Sequence, residues 1–236
     1  MKHTPGLAAA VLLLFGTGCN VINSNAGPTK TDEQEIDAGK AETVRAEIRM
    51  GAGDFHLQGG GTKLMAGSFR YSESIGPPAV RYDVTGSRGL LSVESKKNSL
   101  TGKMVNEWNL RMGSQTPLEL NLHLGGGDAN LDVSTLPLRS IEIEMGAGDL
   151  KLNLAGKYTT DVNALVKAGA GDTEIRLPKD MGVVVDARIG VGGIEPKGLA
   201  KRGDGKYYNE AYADGKPAVR LDVRGGVGDI KLNVEQ

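Results

Sequence analysis

The stretch Ile141-Glu142-Ile143-Glu144-Met145-Gly146-Ala147-Gly148-Asp149-Leu150-Lys151-Leu152 contains the unit from which most of this chain is built. Apolar and polar residues alternate on both sides of a Gly-x-Gly frame, which is typical of β-strands with one buried and one solvated face. A residue without a Cβ atom accepts positive φ and a close backbone approach, so the glycines mark a bend. The unit therefore predicts two short strands joined by a glycine bend.

The frame occurs six times, and Asp follows it in every copy except one, where Gly193 stands instead. The first glycines of successive frames are 74, 21, 23, 21 and 36 residues apart. Near-constant spacing of this size is typical of one structural unit laid down repeatedly. We therefore predict structural turns at the glycines of all six frames, namely Gly51, Gly53, Gly125, Gly127, Gly146, Gly148, Gly169, Gly171, Gly190, Gly192, Gly226 and Gly228.

A unit of 21–23 residues at ~3.3 Å per residue follows a path of roughly 70 Å, which suits one rung of a β-solenoid. Small inward residues such as Ala164, Ala168 and Ala187 fit a narrow core. We predict an all-β chain with a solenoid at 117–236. A related but less regular β region at 41–116 would continue the same stack with degenerate rungs. An antiparallel β-sandwich is the alternative architecture.

Composition and charge narrow the function classes. Glycine supplies 35 of the 236 residues and aromatic residues only 4%, which suits thin β layers joined by tight turns. The formal net charge is −1, so the chain has no strong electrostatic field of either sign. A nucleic-acid partner is therefore not expected.

The first residues predict export. Lys2 and His3 precede an apolar run from Leu7 to Phe15 that is too short to span a bilayer. The run ends in Gly16-Thr17-Gly18-Cys19, which contains the only cysteine. Small residues before a single cysteine resemble the lipobox of bacterial lipoproteins, in which the cysteine carries the lipid.

We accordingly expect a lipoprotein signal peptide at 1–18 and attachment to a bacterial membrane through Cys19. Ordinary secretory cleavage near Gly18 is the alternative. Residues 19–40 are polar and show no periodicity, so a flexible tether is expected between the anchor and the folded region.

Longer stretches resemble a known family. Glu47-Ile48-Arg49-Met50-Gly51-Ala52-Gly53-Asp54-Phe55-His56-Leu57 and the segments 64–71, 78–80 and 90–93 resemble the N-terminal domain of bacterial toast-rack proteins. Gly148-Asp149-Leu150, Gly171-Asp172-Thr173 and Gly228-Asp229-Ile230 are similar to an adhesin-like β-solenoid domain, which also occurs at the C-terminus of LiaF-type envelope-stress regulators. The resemblance implies a right-handed β-helix-like fold outside the cytoplasmic membrane, a role in adhesion, stress sensing or partner binding, and no catalytic residue.

The aspartates after the bends are calcium candidates. If the rungs stack in register, Asp128, Asp149 and Asp172 lie near one another, and charges ~5 Å apart repel by roughly 0.8 kcal/mol in water. A bound calcium ion would offset that repulsion. The alternative is that each side chain accepts a backbone N–H at its own turn, as aspartate often does. No other cofactor is expected.

The long interval before the last frame is the most promising binding feature. Its excess over a typical repeat falls at 198–217 and contains basic and aromatic residues that could contact a glycan, an anionic polymer or an envelope protein. The alternative is a hairpin whose tyrosines cover the end of the solenoid. The residues of this possible partner-binding loop are Lys201, Arg202, Lys206, Tyr207, Tyr208, Tyr212 and Lys216.

The sequence therefore favours a non-enzymatic envelope lipoprotein that acts as an adhesion, binding or stress-related scaffold. A carbohydrate-active β-helix enzyme is the alternative from another class, but it would need convergent carboxylates in a groove walled by loops. A calcium-stabilised structural module is a further reading. The sequence specifies neither the ligand nor the oligomeric state.

Overall fold

The computed structural model describes residues 28–96, 104–203, 205–213 and 218–235, and every helix or strand assigned in them is a β-strand. The predicted signal peptide, Cys19 and Lys216 lie outside the described residues. The strands are β1 (Thr29–Ile36), β2 (Thr43–Ala52), β3 (Asp54–Gly61), β4 (Met65–Ser72), β5 (Ala79–Thr85), β6 (Arg88–Glu94), β7 (Asn106–Gly113), β8 (Leu118–Gly126), β9 (Ala129–Asp132), β10 (Leu138–Ala147), β11 (Leu150–Asn153), β12 (Val162–Ala170), β13 (Thr173–Leu177), β14 (Gly182–Val191), β15 (Ile194–Lys197), β16 (Ala200–Lys201), β17 (Tyr207–Tyr208), β18 (Ala218–Val227) and β19 (Ile230–Val234).

The strands form two sheets that enclose one core. Sheet A has the order β1-β4-β7-β3-β9-β11-β13-β19-β15, and sheet B has the order β16-β17-β14-β18-β12-β10-β8-β2-β6-β5. Each glycine frame joins a longer strand of sheet B to a strand of sheet A, and the two strands make one rung. Neighbouring rungs pair in parallel. Parallel pairing throughout the stack confirms the solenoid and rules out the antiparallel sandwich.

The rungs do not stack in sequence order. Their spatial order is β6/β7, β2/β3, β8/β9, β10/β11, β12/β13, β18/β19 and β14/β15. The chain lays down β2/β3, then builds β6/β7 on its outer side and returns to place β8/β9 on the other. The chain between the first two frames does form a rung, β6/β7, but this rung stacks on the outer side of β2/β3. Strand β2 therefore pairs directly with β8, the strand of the second frame. At the far end, the last rung of the chain lies between two earlier ones.

The core changes in character along the stack. Near the N-terminal end it holds the largest buried side chains, Trp108, Phe55 and Phe69, and the Trp108 and Phe69 rings meet edge to face with centroids 5.5 Å apart. Towards the other end the inward residues are smaller, such as Val166 and Ala168. The two sheets therefore enclose smaller side chains at that end than they do near the N-terminal end.

The glycine bends differ in how strictly they require glycine. Gly148 has φ +118, and a Cβ atom there would strike the carbonyl oxygen of Gly127 in the preceding rung. Gly126, the middle residue of its frame, would place a Cβ 3.6 Å from the carbonyl oxygen of Ala147, which is ordinary contact. The second glycine of a frame is therefore imposed by rung stacking, whereas the middle position accepts alanine or valine.

The prediction of a flexible tether at 19–40 is wrong for the part that the structure describes. Strand β1 pairs antiparallel with β4 over its whole length, from Thr29 opposite Ser72 to Ile36 opposite Met65. Most of its side chains are polar and solvated, and only Ile36 is buried. Backbone pairing at the edge of a sheet needs little apolar burial, so the segment gives no hydrophobic signal in the sequence.

Candidate functional site

The aspartates of the frames form a ladder along the bends. The Asp149 N–H donates to Asp128 Oδ1 at 3.2 Å, and the Asp172 N–H donates to Asp149 Oδ1 at 2.9 Å. The Asp229 N–H then donates to Asp172 Oδ1 at 2.9 Å. Each of these carboxylates is thus bonded by the next rung in space, not by its own turn. Within the described ranges, no cluster of three or more His, Cys, Asp or Glu side chains is placed to hold a metal ion.

Gly193 marks the end of this ladder. Its N–H donates to Asp229 Oδ1 at 2.8 Å, so the rung that contains Gly193 is the last in space although not in sequence. Among the described strands, no further rung stacks on it, so no N–H of a described rung requires a carboxylate at this position. The missing aspartate, which interrupts the series in the sequence, is explained by the position of its rung at the end of the stack.

The long interval before the last frame folds back on the edge of sheet B. We call residues 200–203 and 205–212 the tyrosine arm. Within it, β16 pairs antiparallel with β17, and β17 pairs antiparallel with β14, with Tyr208 opposite Val184 and Tyr207 opposite Val185. The arm therefore covers an edge that would otherwise present unpaired backbone groups.

A buried asparagine fastens the arm. Asn209 is 4% exposed, and its side-chain oxygen accepts the Val183 N–H at 2.9 Å. Its amide group donates to the carbonyl oxygens of Met181 at 2.7 Å and Pro178 at 3.3 Å. Sequence reasoning missed Asn209, because an asparagine in a polar loop carries no signal of burial.

Cation–aromatic contacts order the surface of the arm. The guanidinium carbon of Arg202 lies 4.2 Å from the ring centroid of Tyr208 and 5.8 Å from that of Tyr212. The two tyrosine rings meet at 4.9 Å, and Lys201 Nζ lies 5.5 Å from the Tyr207 ring. Contacts of this kind are each worth about 0.5–1 kcal/mol at exposed sites. These contacts join five of the seven residues that the sequence singled out.

An open groove with a volume of about 560 Å³ lies between the arm and the outer face of sheet B. Lys206, Tyr208 and Tyr212 of the arm line it on one side. Its floor runs across the outward residues of β8, β10, β12, β18 and β14, which follow one another in the sheet. The outward residues on the floor include Asn163, Ser140, Leu165, Glu142, Asp222 and Asp186.

The charges of the groove are paired with neighbouring cations. Asp222 accepts two hydrogen bonds from Arg224, at 3.0 and 2.8 Å, and Asp186 accepts two from Arg188, at 3.1 and 2.9 Å. The ammonium group of Lys167 lies 3.5 Å from Glu142. Hydrogen bonds from Arg224 lower the pKa of Asp222 below its ordinary value, so this carboxylate is ionised at neutral pH.

A second pairing ties the arm to the start of two strands. Asp161 accepts the Ala218 N–H at 2.8 Å and both Nε and a terminal nitrogen of Arg220 at 3.2 and 3.1 Å. The backbone N–H of Ala218 and then the Arg220 guanidinium lower the pKa of Asp161. Hydrogen bonding to Tyr212 and Asp161 raises the pKa of Arg220, so this arginine links the arm to the stack.

A protein-family model, described as the N-terminal domain of toast_rack (DUF2154), matches residues 25–176, which is more than half of the chain. This chain belongs to the toast-rack family. The match includes β1, in accordance with the ordered strand found there, and it ends within β13. Residues 182–235, which carry the tyrosine arm, lie beyond the matched part.

Comparison with solved structures gives the same fold. A "putative cell adhesion protein" from Clostridium sporogenes is 28% identical, covers 88% of this chain and 100% of its own, and superposes with a TM-score of 0.82. A "putative adhesin" from Bacteroides fragilis is 16% identical and covers 87% of this chain and 97% of its own, but its TM-score of 0.33 is too low to show a shared fold. Among curated proteins, no sequence matches this chain.

Proposed function

We propose that this chain is a non-enzymatic binding protein of the bacterial cell envelope, held by lipid on Cys19, that presents its groove to a partner in adhesion or stress sensing. The family membership and the cell-adhesion description of the Clostridium sporogenes structure support a binding role. The lipobox-like sequence before Cys19 supports the envelope location.

The observation that carries the proposal is that strand β1 and the tyrosine arm lie at opposite ends of the stack. Strand β1 is the first strand of sheet A, whereas the tyrosine arm covers the edge strand at the other end of the stack. Nine strands at a spacing of ~4.8 Å separate the two ends by about 38 Å. A lipid attached ahead of β1 would therefore anchor the chain at the end of the stack opposite the arm.

The electrostatics of the groove favour binding over glycoside hydrolysis. Hydrolysis requires one carboxyl group with a raised pKa that serves as the acid beside an ionised partner. The pKa of Asp222 is lowered by Arg224, and Asp186 and Glu142 each have a cation partner. These pairings keep the groove carboxylates occupied with structural contacts.

The anchor is tested by metabolic labelling with radioactive palmitate. We expect the full chain to incorporate label and to fractionate with membranes, and Cys19→Ser to lose the label. A chain that is exported but remains unlabelled would reduce the proposal to a secreted binding protein.

The groove is tested by retention of the full chain on envelope isolated from the producing bacterium. Leu165 lies on the groove floor between Asp222 and Glu142, its partners in the neighbouring strands. An arginine there fits two acidic neighbours but fills the groove, so Leu165→Arg should lower retention at least tenfold. Asn130→Arg, which adds the same charge on the outer face of sheet A, should leave retention unchanged. Equal losses in both variants would contradict the proposal.

A further inference from the structure

We propose that the groove takes a neutral glycan, an oligosaccharide that contacts the tyrosine arm and the outward polar row of sheet B. This inference rests on the proposed binding function and specifies its ligand class. It is carried by the paired charges, the unpaired neutral polar groups and the aromatic wall of the same groove.

The paired charges exclude a ligand recognised mainly by its own charge. Three carboxylates line the groove together with Lys206 and Arg220, and each carboxylate lies beside a cation, so charges of the two signs offset one another and a polyanion gains no strong attraction. A cationic ligand would have to displace Arg224 from Asp222 or Arg188 from Asp186, and each of those pairs has two hydrogen bonds. The groove therefore suits a ligand without net charge.

Neutral hydrogen-bonding groups remain available on the floor. Asn163 and Ser140 are direct partners in adjacent strands, both facing outward, and neither side chain has a hydrogen-bond partner among the described residues. An amide offers both donors and an acceptor, and a hydroxyl offers one donor and two lone pairs. Adjacent hydroxyl groups of a sugar need this combination of donor and acceptor.

The arm supplies the apolar part of such a site. Tyr208 and Tyr212 line the groove at one edge, and Leu165 lies on the floor. Aromatic side chains with a polar tip are suited to ligands that have one apolar and one polar face, as a pyranose ring does. Arg202 and Asn209 hold the two tyrosines in place before any ligand arrives, which reduces the entropy that binding would cost.

A peptide fits this groove less well. Extended peptides gain affinity from main-chain hydrogen bonds to the edge of a sheet. The groove floor is the middle of sheet B, where backbone groups already pair between strands, and β17 covers the edge of β14. A protein partner is therefore the alternative outcome of the test.

The test is calorimetric titration of the full chain in detergent with three neutral hexasaccharides, maltohexaose, mannohexaose and chitohexaose, and with heparin as a polyanion. We expect one or more of the neutral sugars to bind, with a Kd that changes less than twofold between 50 and 500 mM NaCl, because ion pairs do not contribute. Asn163→Ala should weaken that binding about fivefold, and Leu165→Arg should abolish it.

The matched control is Asn130→Ala, which removes another outward asparagine amide, on sheet A. It should leave the Kd unchanged, and comparison of the two alanine variants decides the question even if Leu165→Arg fails to fold. Absence of binding by all three sugars, binding of heparin alone, or equal effects of Asn163→Ala and Asn130→Ala would overturn the inference. If Leu165→Arg loses envelope retention but no sugar competes for that retention, the glycan inference is overturned. The binding function then stands, with a protein as the partner.

Discussion

The two ends of the stack follow one rule and are closed in different ways. At each end, the rung nearest a chain terminus lies inside a rung that is farther from that terminus in the sequence, β2/β3 inside β6/β7 and β18/β19 inside β14/β15. The N-terminal end is then covered by full-length antiparallel strands, β1 and β4 on sheet A and β5 on sheet B. The distal end of sheet B is covered by the two-residue strands of the arm.

The difference shows how one repeat serves both stability and binding. Terminal rungs fray when they lack a neighbour, so placing them inside the stack protects them. The N-terminal end adds a core of large aromatic side chains, whereas the distal end depends on one buried asparagine and on contacts at the surface. We expect substitutions at the first end to affect the whole fold, and those at the second to affect the arm.

The largest effect is expected for Trp108→Ala. Trp108 is 1% exposed, packs against Phe69 and donates its indole N–H to Asn106 Oδ1 at 2.9 Å. Its removal leaves a cavity in the core and should lower the free energy of unfolding by about 3–5 kcal/mol, measured by urea titration. Val84→Ala, in edge strand β5 at the same end, should cost less than about 0.5 kcal/mol. A small loss in the free energy of unfolding of Trp108→Ala would show that the aromatic core does not stabilise this end.

At the distal end, Asn209→Ala should release the arm without unfolding the stack. The substitution leaves the Val183 N–H and the carbonyl groups of Met181 and Pro178 without their partner, at a cost of roughly 1–3 kcal/mol. Amide exchange in β17 should accelerate about 10- to 100-fold while exchange in β10 and β12 stays slow. The adjacent exposed Glu210→Ala serves as control. Faster exchange throughout the stack would show that the arm is part of the cooperative core.

The rungs themselves could be predicted from the sequence, because alternation and glycine bends are local. Ile143 and Leu152 alternate with polar neighbours, and Gly148 stands where φ is positive. The order of the rungs could not be predicted, because every rung presents a similar inward row and a similar glycine bend to its neighbour. The glycine in place of aspartate at position 193 was the one sequence feature that reflects the spatial order. Its meaning depends on the aspartate ladder, which only the structure shows.

The candidate site was predicted in part. The departure from the period located the arm, and its tyrosines and cations were visible as composition. The groove floor was not predicted, because Asn163 and Leu165 become neighbours of Asp222 only after β18 inserts beside β12. Strand β1 was missed for a related reason, since its stabilising contacts are backbone bonds to β4 and not side-chain burial.

The ladder gives a smaller effect at the same distal end. Asp229→Ala removes the acceptor of the Gly193 N–H and should cost about 1 kcal/mol, measured by thermal melting. Asp229→Asn keeps an oxygen acceptor and removes the charge, so it should recover most of that loss. If calcium held the ladder instead, Asn would be as damaging as Ala, and chelator would lower the melting temperature of the parent chain until calcium was restored. We expect chelator to leave it unchanged.

The smallest effect concerns pH and the link between the arm and the stack. The pKa of Asp161 is lowered in the folded chain by the Ala218 N–H and by Arg220. A carboxylate with a depressed folded-state pKa stabilises the fold above its unfolded pKa of about 3.9, and this contribution is lost as pH falls through the folded-state value. Because the group is largely exposed, the contribution should be less than about 1 kcal/mol. Asp161→Asn should therefore lower stability at pH 7 and flatten the fall in stability below pH 4, whereas Asp83→Asn in β5 should do neither. An unchanged acid profile in Asp161→Asn would mean that Arg220 holds the arm through Tyr212 alone.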